Sequence, residues 1–152
     1  MRELLIEMKN ISELMVDLAY SAVLFNDYEL AEEVVELEDR IDDLRNLLLM
    51  NAAMAVRDKE DAESMVGIIR TASAADKISD AAGDIAHIVL RRLGVDSYIL
   101  EALTKVDERL VRTRVLLGSP LMGKALKELE LETKIGVDII AIRRGKQLVV
   151  GP

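Results

Sequence analysis

The side chains of this sequence best placed to do chemistry are carboxylates at helical spacing. Glu36, Glu38, Asp39, Asp42 and Asp43 fall within VVELEDRIDDL, and Asp76, Asp80 and Asp84 within ASAADKISDAAGDIAHIV. Residues four apart share a helix face, so Glu38 projects with Asp42 and Asp39 with Asp43. By the same spacing Asp76, Asp80 and Asp84 form one stripe. Like charges so placed repel by about 0.2–0.5 kcal/mol per pair. Water, basic side chains or bound cations must offset them. One reading is a solvated acidic face, partly neutralised by Arg40, Arg45 and Lys77. The other is a cation site with Glu38, Asp39, Asp42, Asp43, Asp76, Asp80 and Asp84 as its ligands. All-oxygen donors suit Mg²⁺, Ca²⁺ or Mn²⁺, and a carboxylate-rich site also accepts iron or zinc. His87, the one histidine, stands at the stripe's edge. A lone histidine there is more often a packing or surface group than a ligand.

Other chemistry is not signalled. The chain has no cysteine, hence no disulfide framework and no thiolate metal site. It has no Gly-rich phosphate loop and no H-x-x-x-H pair, and Ser73 and Ser79 lack a base with triad logic. A non-enzymatic protein is expected. The net charge of −8 argues against a nucleic-acid partner. Met1-Arg2-Glu3 opens directly into amphipathic sequence, so no signal peptide is expected. The most apolar stretch, 47–56, falls short of the roughly 20 residues a membrane span needs. A cytoplasmic location is expected.

The elements that must carry the carboxylates are helices. Leu4, Met8, Ile11, Met15, Leu18, Ala22 and Phe25 step by fours and threes, as do Leu30, Val34, Leu37, Ile41, Leu44 and Leu48. Both runs are seams of helices packed nearly in line. Asn26 or Asp27 caps the second helix, and Asp58 the third. The third runs from about Lys59 to Leu93, with Ile68, Thr71, Ala75, Ile78, Ala82, Ile85 and Val89 as its expected seam. That seam leaves Asp76, Asp80 and Asp84 pointing away from the core. Three long helices with short turns give an antiparallel up-down-up bundle.

Composition changes at Gly94. Residues 1–93 hold 20 acidic and 10 basic side chains, net −10; residues 94–152 hold 8 and 10, net +2. Six of the eight glycines and both prolines lie in the second part. Residues 94–106 read as a linker with a short helix over 97–104. Beyond it a small α+β module is expected. Its strands are Leu110–Leu117, Val137–Arg143 and Gln147–Val150, with a turn at 119–123, a short helix at 124–129 and a tight turn at 144–146. The fold class is therefore mostly α: a three-helix bundle followed by an α+β module.

Glu38-Asp39-Arg40-Ile41-Asp42 and Asp76-Lys77-Ile78-Ser79-Asp80-Ala81-Ala82-Gly83-Asp84-Ile85-Ala86 resemble the E/D-x-x-x-D motifs of the PhoU family. The resemblance covers residues 1–93. It implies one three-helix repeat, metal-cluster binding at those motifs, and regulation of phosphate uptake at the inner membrane face. A homodimer through the small-residue face of the third helix would restore the family's paired repeat. Residues 107–152 resemble the start of a TrkA-C (RCK-C) domain, through Ser119-Pro120-Leu121-Met122-Gly123-Lys124-Ala125-Leu126-Lys127-Glu128-Leu129 and Gly136-Val137-Asp138-Ile139-Ile140-Ala141-Ile142-Arg143-Arg144-Gly145. That family's later Gly-Asp strand is absent, so an incomplete module is expected. The second resemblance implies a dimerising cytosolic regulator of K⁺ and other cation transporters or channels. Together they imply a regulatory subunit of cation transport, potassium first, that senses metal through its acidic stripes and meets a membrane transporter. The alternative is a metal-binding regulator of phosphate uptake.

Overall fold

The computed structural model describes residues 1–104, 110, 112–145 and 147–150. The chain divides into two compact units, 1–110 and 111–152. In the first, α1 (Arg2–Phe25), α2 (Tyr28–Ala55) and α3 (Lys59–Leu90) pack against one another in all three pairings, and α4 (Ser97–Thr104) rests on α1. At 24, 28 and 32 residues the long helices extend about 36, 42 and 48 Å. Two- and three-residue connections reverse the chain between them, giving the expected antiparallel bundle.

The turns follow from local chemistry. Asn26 takes the left-handed conformation at φ 49° and closes α1. Its short polar side chain tolerates that region better than a branched one would. Asp27 then caps α2, its Oδ1 accepting from the amides of Glu29 at 2.9 Å and Leu30 at 3.1 Å. Asp58 caps α3 by accepting from the Asp61 amide at 2.9 Å. Each side chain satisfies amides that have no partner within the helix.

All six seam residues expected on α2 are buried, as are Met8, Ile11, Met15, Leu18 and Ala22 of α1, whereas Phe25 is exposed. Burying each large aliphatic side chain stabilises the bundle by about 1.5–3 kcal/mol. On α3 the expected seam is displaced. Its buried row is Ala72, Asp76, Ser79, Ala82, Gly83, Ala86 and Val89. Of the expected seam only Ala82 and Val89 are buried; Thr71 is exposed and Ile78 is 46 % exposed. Apart from Asp76 and Val89, small side chains face the core, where α3 packs against both α1 and α2. Ser79 shows how tight the fit is, its hydroxyl donating to the Met15 Sδ at 3.2 Å inside the core. The third helix also ends earlier than expected, at Leu90.

The second unit contains α5 (Leu126–Leu129), α6 (Leu131–Ile135), β1 (Ala141–Arg144) and β2 (Gln147–Val150). The two strands pair antiparallel, Ala141 opposite Val150 and Arg144 opposite Gln147. Gly145, at φ 61°, makes the turn that joins them. Lys146 of that expected turn lies outside the described residues, as do the 106/107 boundary and Val111. The turn at 119–123 forms, while α6 was not expected. The expected strand Leu110–Leu117 is not formed over its described residues 112–117, nor is Val137–Ile140 part of β1. Alternation of Val and Thr with Arg favours extended backbone, but a strand also needs a hydrogen-bonded neighbour. Among the described residues the only ladder is β1–β2. Set beside the expected limits of 93 and 106, the division between units falls at 110, and α4 packs within the first.

Candidate functional site

The acidic residues occupy the junction of α2 and α3. Asp76 belongs to the core-facing row of α3 and is 7 % exposed. Its Oδ2 accepts from the Arg45 Nη1 at 2.6 Å, and the Arg45 Nη2 lies 3.2 Å from the Asp42 Oδ1. One guanidinium thus ties Asp42 of α2 to Asp76 of α3. The hydrogen bond to Asp76 holds Arg45 more firmly protonated, and outweighs the opposing effect of burial. The expectation that Asp76 shares an outward face with Asp80 and Asp84 is therefore corrected. Once the buried row of α3 is known, Asp76 belongs to it, at the edge nearest Asp80, while Asp80 and Asp84 remain exposed.

Glu38 lies half-buried against Gly83, and its Cδ comes within 2.8 Å of where a Cβ on that residue would be. A glycine mid-helix costs about 1 kcal/mol relative to alanine. Here its missing side chain makes room for the carboxyl. Burial raises the Glu38 pKa above its ordinary value, and nearby Asp80 raises it further. His87 opposes the shift, while Asp42 and Asp39 add to it. No salt bridge among the described residues reaches Glu38, Asp80 or Asp84. Asp39 and Asp43 are exposed on the outer side of α2. Elsewhere on the bundle, the Arg40 Nη2 donates to the Glu7 Oε1 at 2.7 Å and links α2 to α1.

The structure therefore gathers Asp42, Asp76 and Arg45 at one point and Glu38, Asp80 and His87 near another, and leaves Asp39, Asp43 and Asp84 to solvent. Among the described residues no three His, Cys, Asp or Glu side chains converge as ligands for an ion. As arranged, Asp42 and Asp76 do not fit a metal between them, because the Arg45 guanidinium occupies that place. The Gly83 cradle was missed in the sequence, although a glycine inside a strong helix is itself the signal of close approach.

An antiparallel three-helix bundle with carboxylates gathered at the junction of α2 and α3 defines a class of acidic three-helix domains. The PhoU domain matches residues 5–89, more than half of the chain, and the chain belongs to that family. It is also similar to the Ktr system potassium uptake protein C of Bacillus subtilis (strain 168), 33% identical over 73 residues. That stretch is 48% of this chain and 30% of the relative, so the chain matches less than a third of that protein's length. No described helix is long and apolar enough to cross a membrane.

Proposed function

We propose that this chain is a non-enzymatic regulatory component of a cation-uptake system, with potassium as the transported ion. The observation that carries the reading is its similarity to a potassium uptake protein, alongside a PhoU bundle over residues 5–89. In this reading residues 107–152 act as a TrkA-C module that couples the bundle to a membrane transporter. The β1–β2 hairpin and the short helix α5 support that assignment, since both occur within the motif-bearing stretch. Two copies pair through α3. Supporting this, Gly67, Thr71, Ala74, Ile78 and Ala81 recur at steps of four and three along its solvent side and are all exposed. A row of small and apolar residues lets a second helix approach closely, and a twofold axis would bring the same row against itself.

The test is transport in membrane vesicles from the source cells, prepared with their inner face outward. Added purified chain should change K⁺ flux and leave phosphate flux unaltered. A change in phosphate flux alone would replace this reading with regulation of phosphate uptake. No change in either would remove it.

A further inference from the structure

Asp76 poses an electrostatic problem that the fold has to solve. A carboxylate in the core-facing row of a helix loses most of its hydration, and an unpaired buried charge costs several kcal/mol. The family resemblance implies a metal ion as the solution. The structure shows another. Arg45 reaches across from α2, spends one nitrogen on Asp76 at 2.6 Å and a second on Asp42 at 3.2 Å, and lies with its own side chain 33 % exposed. Its Nε is buried and has no hydrogen-bond partner among the described residues. Leaving that donor unsatisfied is unfavourable, so two carboxylates on different helices, and not the best arrangement of its own donors, fix the guanidinium where it is. The result is one positive charge set between two negative ones at the helix interface, the position a bridging cation would take.

We propose that Arg45 is a built-in counter-cation that replaces a metal ion between α2 and α3, so that this bundle closes without divalent cations. This goes beyond the transport reading and can fail independently of it, because its readout is stability and ion binding and not flux.

The experiment compares thermal unfolding of the full chain in EDTA and in Mn²⁺, at ionic strength matched with KCl. The wild type should melt at the same temperature in both, and equilibrium dialysis should find no stoichiometric Mn²⁺ on it. Arg45→Gln should melt about 5–10 °C lower in EDTA. It should regain part of that loss in Mn²⁺ but none in extra KCl, and Arg45→Gln/Asp76→Asn should regain nothing. A wild type that binds Mn²⁺ or is stabilised by it as strongly as the variant overturns the proposal. So does an Arg45→Gln protein that loses stability yet gains none from Mn²⁺, for then Arg45 is an ordinary ion pair. If Arg45→Gln does not fold in EDTA, its refolding on adding Mn²⁺ supports the proposal, and failure to refold overturns it. The dialysis result on the wild type stands in either case.

Discussion

The two units of this chain solve the problem of apolar surface differently. Residues 1–110 enclose a continuous aliphatic core in which Leu30, Val34, Ile41 and Leu48 of α2 are essentially inaccessible. Among the described residues of 111–152 none is buried, and Leu117 is 97 % exposed. Composition does not explain the contrast, since leucine, isoleucine and valine are plentiful in both. Long helices bury a stripe as soon as two neighbours lie alongside them. Short helices and a two-stranded ladder have too little facing area to cover their own side chains. An apolar residue therefore contributes to stability through the neighbours its element can recruit.

The sharpest way to break this contrast is to remove equal side chains from both sides of it. Leu48→Ala should cost about 2–5 kcal/mol in denaturant unfolding. Leu117→Ala should change stability by no more than about 0.5 kcal/mol. Equal losses would mean that the second unit hides a core of its own.

Asp27→Ala tests the next largest effect, the cap that starts α2. It removes two hydrogen bonds to helix amides and should cost about 1 kcal/mol, while Asp27→Asn should recover most of it. A loss well below this would show that burial of the α2 seam, and not its cap, fixes the start of that helix.

Glu38→Gln should give the smallest change and the most informative one. The folded-state pKa of Glu38 is raised, first by burial and then by Asp80. The folded protein therefore holds that proton more tightly than the unfolded chain does, and the charged form costs stability at neutral pH. The cost fades as pH falls through the raised pKa toward the ordinary value of 4.5. Glu38→Gln should thus raise the melting temperature by about 1–3 °C at pH 7. The gain over wild type should shrink as the pH approaches 4.5. A gain that does not vary with pH would assign the effect to packing against Gly83 and not to charge.

Much of the bundle was legible in the residue pattern, and the reason differs from helix to helix. On α2 the buried positions are large and aliphatic and their neighbours are charged, so only one face can turn inward. The caps at Asp27 and Asp58 were legible because orphan amides select a small set of side chains. On α3 the core face is built mainly from alanine, serine and glycine, with Asp76 and Val89, and the bulkier Ile78 and Ile85 point to a neighbouring stripe. Hydrophobicity favoured the isoleucines, while the close approach of two other helices required the small residues. That rotation moved Asp76 from the surface to the interface and changed the meaning of the acidic stripe.

The residue order alone determined that three amphipathic helices would form, where their turns lie, and that α2 and α3 would bring carboxylates into one neighbourhood. Those properties depend on short-range spacing and on capping groups a few residues away. Tertiary packing decided which carboxylate is buried, that Arg45 meets Asp76, and that Glu38 rests on Gly83. Arg45 and Asp42 are neighbours on one helix, whereas the Arg45–Asp76 and Glu38–Gly83 contacts join positions 31 and 45 residues apart. They are set by the rotation of one helix against another, a quantity fixed by side-chain volume at the interface and not by any local pattern.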